Sequence, residues 1–245
     1  MQALILAAGK GTRLRPLTDY IPKPMLPLCG KPLLEWVLLG LKGHGIRDFV
    51  LAVSYLAEQI ENYFGSGSRW GIRIRYSRGA APAGKAGEIW RARDLLSGSE
   101  MSSFLVAPGD TICHLDYCEL LRFHAQHSAV ATVAFSTLYR LEVGLAEIDC
   151  QGRVNKFWEK TSLGRPVSTG SYVLDKAIFP YIERFDPGRN EVDLPGDVFP
   201  LLLAEGVPVA GFVGDYAWWD VGRLSDYEEL RRMTPEKARQ ILPWA

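Results

Sequence analysis

The chain has 245 residues, 47% hydrophobic and 23% charged, which is ample for a buried core and excludes general disorder. Lys plus Arg and Asp plus Glu each number 28, so the basic excess of a nucleic-acid-coating protein is missing and no nucleic-acid partner is expected. The four cysteines (Cys29, Cys113, Cys118, Cys150) form no Cys-x-x-Cys pair, and the four histidines (His44, His114, His124, His127) show no zinc spacing, which argues against a disulfide scaffold or a structural zinc site.

Gln2–Ala7 is a short, nearly continuous apolar run and predicts a strand buried on both faces. Gly9-Lys10-Gly11 cuts the run too short for a signal-peptide core or a membrane span, so the expected compartment is the cytoplasm. A loop rich in Gly, Pro and basic residues extends from Ala8 to about Gly30. Leu33–Leu41 predicts a helix and Phe49–Val53 a buried strand. Glu58–Phe64 predicts a helix stopped by Gly65. Ile72–Tyr76 alternates as a half-exposed strand does. Glu88–Leu96 is helical, Phe104–Ala107 is a buried strand closed by Pro108-Gly109, Tyr117–His127 is helical and Val130–Phe135 is a strand. Strand and helix thus alternate to about residue 135, the order of a mainly parallel sheet with helices on both faces.

The pattern then changes. Leu145–Ile148 and Val154–Trp158 flank Asp149-Cys150-Gln151-Gly152 and predict a hairpin. Tyr172–Leu174 and Val207–Val213 predict strands; Ala177–Arg184, Asp197–Glu205 and Ser225–Met233 predict helices. The expected fold is α/β and Rossmann-like, with antiparallel strands from the second half closing one side of a pocket. One domain over 1–245 is expected, with lobes at 1–135 and 136–233 and a tail at 234–245. Ligands of such sheets bind beyond the carboxyl ends of the strands, so chemistry is expected after Ala7, Tyr76 and Ala107.

After the first strand the chain reads Leu6-Ala7-Ala8-Gly9-Lys10-Gly11-Thr12-Arg13-Leu14-Arg15-Pro16-Leu17-Thr18, then Pro22-Lys23-Pro24-Met25. Gly9 and Gly11 let the backbone turn sharply and bring its N–H groups near an anion. Arg13, Arg15 and Lys23 add three cations, a combination suited to a triphosphate. A dinucleotide fingerprint needs a third Gly where Leu14 stands. A glycine turn with solvated basic residues is the plain alternative. The whole string, rather than its glycines, resembles the sugar-1-phosphate nucleotidyltransferases, or nucleotide-sugar pyrophosphorylases. These open with a strand, then Gly-x-Gly-Thr-Arg-Leu-x-Pro-Leu-Thr, then Pro-Lys-Pro-Met. The resemblance extends from Leu4 to about Tyr227 and assigns Leu6, Ala7, Ala8, Gly9, Gly11, Thr12 and Arg13 to the nucleotide.

Gly79-Ala80-Ala81-Pro82-Ala83-Gly84-Lys85-Ala86 has P-loop spacing up to its last residue, but Ala86 lacks the hydroxyl that would ligate magnesium. It loosely resembles the family's Pro-x-Gly-x-Ala-Gly stretch beside the base, which would give Pro82, Gly84 and Gly87 to the nucleotide. Lys85 and Glu88 depart from that pattern, and a glycine-rich helix start is the alternative.

Asp110 follows a buried strand, and Asp220 sits in Ala217-Trp218-Trp219-Asp220-Val221-Gly222. A carboxylate among apolar neighbours needs a partner, and a hard divalent cation is one. Each alone reads equally as a turn or cap residue. The resemblance makes both ligands of magnesium (Mg²⁺). It also brings Gly144 and the Glu159-Lys160 pair to the sugar and its phosphate, Glu159 accepting from hydroxyls and Lys160 acting as a point charge. A surface ion pair is the alternative for that pair. Thr161 stands where the family usually has Pro. Thr169 and Gly170 resemble the stretch closing on the hexose. Asp197 reads as a helix cap at least as readily as a sugar contact.

The resemblance implies the reaction of a nucleoside triphosphate (NTP) with a sugar 1-phosphate to give a nucleoside-diphosphate sugar and pyrophosphate. It places Arg13 on the β- and γ-phosphates and Lys23 at the reacting centre. The details lean slightly to glucose 1-phosphate with dTTP or UTP. Mannose- or heptose-1-phosphate guanylyl transfer, a non-catalytic regulatory homologue and a phosphocholine-type cytidylyltransferase are the other readings. The short stretch after Met233 leads us to expect no β-helix or acyltransferase extension, and a monomer or homodimer.

Overall fold

The computed structural model describes residues 1–98, 101–139, 143–159, 164–222 and 224–232. The first half contains strands β1 (Gln2–Ala7), β2 (Pro27–Leu28) and β3 (Lys31–Pro32), helix α1 (Leu33–Gly43), β4 (Asp48–Val53), α2 (Ala57–Phe64), β5 (Arg73–Arg78), α3 (Gly84–Arg91), α4 (Arg93–Ser97), β6 (Ser103–Pro108), β7 (Thr111–Cys113), α5 (Tyr117–His127) and β8 (Ala131–Ser136). The second half adds β9 (Leu145–Ile148), β10 (Val154–Trp158), β11 (Val167–Asp175), α6 (Phe179–Glu183), α7 (Phe199–Ala204), β12 (Val209–Gly214), β13 (Trp218–Asp220) and α8 (Leu224–Arg231).

Seven strands form one sheet in the order β12-β8-β11-β6-β1-β4-β5. Pairing is parallel for β1 with β4 and β6, for β4 with β5 and for β8 with β12. β11 runs against both its neighbours. The sheet is therefore mostly parallel, and the second half widens it through β11 and β12. Both faces are covered, which explains the unbroken apolar runs. Ile5, Leu51 and Leu105 face one layer, where Trp36 of α1, Ile60 of α2, Leu120 of α5 and Tyr227 of α8 pack. Leu4, Val50, Val106 and Tyr172 face the other, under Ile89 of α3, Leu96 of α4, Ile182 of α6 and Leu202 of α7. Each such large side chain contributes about 1.5–3 kcal/mol of burial.

The predicted hairpin has the observed bounds, but three other segments differ. The helix expected over Glu88–Leu96 starts earlier, at Gly84, because the Glu88 carboxylate reaches back to accept the Ala83 N–H at 3.0 Å. It is interrupted at Ala92, where α4 takes over. β11 begins at Val167, where Ser168, Thr169 and Gly170 mask the apolar alternation and the register shifts through a bulge. The segment before α7 is a wide π-turn over Leu194–Val198, held where Asp197 Oδ2 accepts the Asp193 N–H at 2.8 Å. That bond is a local cap. Met233 and the tail lie outside the described residues.

All six parallel strands point the same way, so their carboxyl ends form one rim. The amino end of β11 joins it, with Val167 opposite Ser136 and Ser168 opposite Phe135. The excursion carrying β9 and β10 therefore leaves and rejoins the sheet at that rim. Among the described residues no helix is long and apolar enough to cross a membrane.

Candidate active site

The loop after β1 folds back on itself. Gly11 takes a left-handed conformation (φ 61°), and its carbonyl accepts from the Leu14 N–H and the Thr18 hydroxyl, both at 2.9 Å. A Cβ at residue 11 would stand 3.1 Å from Lys23 Cβ. Gly11 therefore packs the start of the loop against the stem of Lys23, which is only 8% exposed. Lys23 sits between Pro22 and Pro24 in a one-turn 3-10 helix.

From there Lys23 Nζ reaches Asp110 Oδ2 at 2.7 Å and Asp220 Oδ1 at 3.1 Å. Two backbone devices bring the acids to it. The Gly109 N–H donates to Leu6 O at 2.9 Å, tying the turn before Asp110 to the end of β1. β7 and β13 pair antiparallel and set Asp220 opposite Thr111, the neighbour of Asp110. Three residues from distant parts of the chain thus meet at the rim.

Burial disfavours the Lys23 ammonium, but Asp110 and then Asp220 outweigh burial and hold its pKa above the ordinary lysine value. Two carboxylates converging on one cationic point are also the donor set a hard divalent ion takes, alongside phosphate oxygens. The residues therefore fit magnesium.

The exposed Arg13 lies at the mouth of this cluster. Its Nη1 is 3.7 Å and Asp220 Oδ2 is 3.4 Å from where a Cβ on Gly222 would stand. Among the described residues Arg13 makes no ion pair, whereas Arg15 is paired with Asp19 at 3.0 Å. Ala7 and Ala8 are buried, Leu6 is half-buried, and Gly9, Thr12 and Arg13 line the open side of the loop.

The other expected residues are placed as follows. Gly84 has φ 75°, and a Cβ there would be 2.3 Å from Val192 O. That same carbonyl accepts the N–H groups of Ala86 and Gly87, at 2.9 and 3.2 Å. Gly84 and Gly87 are thus engaged by the backbone of Val192, and Pro82 is half-buried just before them. Gly144 and Glu159 come together: Glu159 Oε2 is 3.1 Å from a Cβ placed on Gly144. The chain entering that hairpin is anchored by Tyr139 stacking on Trp218 at 5.8 Å between ring centroids. Lys160 lies outside the described residues. The buried Thr169 hydroxyl donates to Ala134 O at 3.2 Å. Gly170 backs onto Pro108, just before Gly109-Asp110.

Sequence reading missed the β7–β13 pair that joins the acids. Its signal was the β-branched and apolar Thr111-Ile112-Cys113 against Trp218-Trp219, two runs too short for periodicity to register.

The nucleotidyl transferase family model matches residues 2–237. A UTP–glucose-1-phosphate uridylyltransferase of Synechocystis sp. is 36% identical over 249 residues, spanning 95% of this chain and 63% of that relative. The mannose-1-phosphate guanylyltransferase catalytic subunit beta of Danio rerio is 32% identical over 253 residues, spanning 98% and 68%. The chain thus corresponds to about two thirds of the length of these relatives. A crystal structure of a Bacillus anthracis protein, described as a glucose-1-phosphate thymidylyltransferase in complex with sucrose, matches with a TM-score of 0.75. The match spans 96% of both chains at 23% identity and is a likeness of fold.

Proposed function

The chain belongs to the nucleotidyl transferase family, and from that premise we propose that it joins an NTP to a sugar 1-phosphate, releasing pyrophosphate. The observation that carries this reading is the convergence of Lys23, Asp110 and Asp220 at the carboxyl rim of the sheet. A phosphate oxygen of the sugar 1-phosphate attacks the α-phosphorus, and the bond from that phosphorus to the β-bridging oxygen breaks. No general base is needed, because a phosphate monoester is already an anionic nucleophile near neutral pH. Holding two anions together is the difficulty, and fixed cations address it. Lys23 neutralises charge at the reacting phosphate. Arg13, exposed and without an ion pair among the described residues, takes the β- and γ-phosphates and the departing pyrophosphate.

Asp110 and Asp220 would hold Mg²⁺. When bound, that ion supplies positive charge to the polyphosphate. The nucleotide occupies the loop from Leu6 to Arg13 and the wall at Pro82, Gly84 and Gly87. Gly144 and Glu159 serve the sugar, Glu159 accepting from its hydroxyls, and Lys160 is the residue this reading assigns to the sugar phosphate. Thr169 and Gly170 shape the sugar pocket through backbone and packing, since the Thr169 hydroxyl is committed to Ala134. In this reading 1–135 serves the nucleotide and 136–233 the sugar within one cytoplasmic domain, acting as monomer or homodimer.

Glucose 1-phosphate with UTP or dTTP is the first substrate pair to try, supported by the 36% identical uridylyltransferase. Mannose 1-phosphate with GTP is the second, supported by the 32% identical guanylyltransferase subunit. The test is pyrophosphate release with four NTPs against glucose, mannose and N-acetylglucosamine 1-phosphates. One pair should dominate and require magnesium. Release no greater than in acceptor-free controls across the whole matrix would overturn the reading.

A further inference from the structure

We propose a second metal site, for a borderline transition ion such as Zn²⁺, formed by His44, Asp116 and Cys118. His44 follows the last turn of α1, while Asp116 caps α5 and Cys118 lies in its first turn. The fold closes the long sequence gap between them, which is why no local zinc spacing announces the site.

His44 Nδ1 is 3.7 Å from Asp116 Oδ1 and 3.8 Å from Cys118 Sγ. All three donor atoms lie within 4.8 Å of one another. Around a tetrahedral zinc, neighbouring N, O and S donors stand about 3.4–3.6 Å apart, given typical bond lengths. Two edges therefore need to contract by only a few tenths of an ångström. Two of the donors are already held: Asp116 Oδ1 accepts the Glu119 N–H at 3.0 Å, and the Tyr117 ring packs edge-on to His44 at 5.5 Å. The Cys118 thiol donates to the His44 carbonyl oxygen at 3.5 Å and gives up that proton when it ligates the ion.

The donor chemistry separates this site from the aspartate pair. Thiolate, imidazole and one carboxylate suit zinc, whereas magnesium takes oxygen alone. The side chains are part-exposed, so the ion has an entry path and water can supply a fourth ligand. Bound there, it clamps the end of α1 to the start of α5.

The test is a Co²⁺ titration of the chelator-stripped full chain, followed by Zn²⁺ competition. With excess Mg²⁺ present to occupy the aspartate pair, one cobalt per chain should bind with a near-ultraviolet thiolate charge-transfer band that zinc bleaches. Cys118→Ser should abolish the band although Cys29, Cys113 and Cys150 remain. His44→Gln and Asp116→Asn, the latter keeping an acceptor for the helix cap, should each weaken Zn²⁺ binding at least about ten-fold. Thermal unfolding in metal-free buffer checks that each variant is folded. Absence of the band at saturating cobalt, its survival in Cys118→Ser, or unchanged zinc affinity in both other variants would overturn the proposal.

Discussion

A methyl group added at residue 84 has nowhere to go. Its carbon would fall 2.3 Å from the Val192 carbonyl oxygen, at a φ that L side chains rarely adopt. Left-handed backbone costs about 1–2 kcal/mol outside glycine, and the clash adds to it. Gly84→Ala should therefore lower folding stability by about 2 kcal/mol or more in urea unfolding, and a change within a few tenths would refute this packing. Lys23 is the other residue where opposing forces can be weighed. Because its pKa is raised on folding, its stabilising contribution is complete below about 10.5 and is lost only as pH climbs through the folded value. Arg13, Lys23, Asp110 and Asp220 could be singled out as candidates in the sequence because each sits in a distinctive local string, and the structure brings the last three together. The demand for glycine at 84 was not legible, because the contact that imposes it comes from Val192, far along the chain.

Elements meet through side chains as well as through ladders. The buried His124 of α5 is one such junction, with Nδ1 2.8 Å from Thr132 Oγ1 of β8 and Nε2 3.1 Å from Ser103 Oγ of β6. Burial pulls its pKa below the ordinary 6.5, against a smaller opposing effect of Asp175. The unfolded chain thus takes up this proton at a higher pH than the folded one. The His124 contribution is complete above about 6.5 and falls as pH drops towards the folded value. Urea midpoints from about pH 7.5 to about pH 5.5 should decline less steeply in His124→Gln than in the wild type. Equal slopes would show that this histidine is not the titrating junction. The longer elements were legible because two-sided burial and helical periodicity leave clear patterns over six or more residues. The paired three-residue strands β7 and β13 were not, since their stability is a tertiary property of Ile112 and the two tryptophans.

Across the whole molecule, strand–helix alternation correctly implied a mostly parallel sheet covered on both faces. It carried no information about order, because pairing β11 between β6 and β8 depends on contacts between segments far apart in the chain. That order has a chemical consequence. It gathers the loop after β1, the turn after β6, the excursion after β8 and the run after β12 on one rim, where the first and last motifs of the chain share a cation. The most direct test compares magnesium-dependent pyrophosphate release by the wild type, Asp110→Asn, Asp220→Asn and Lys23→Met on the preferred substrate pair. Each variant should fold and lose about 10²-fold or more in turnover, in line with removing preorganised charge from a phosphoryl site. Near-wild-type turnover in either aspartate variant at the same magnesium concentration would contradict the account.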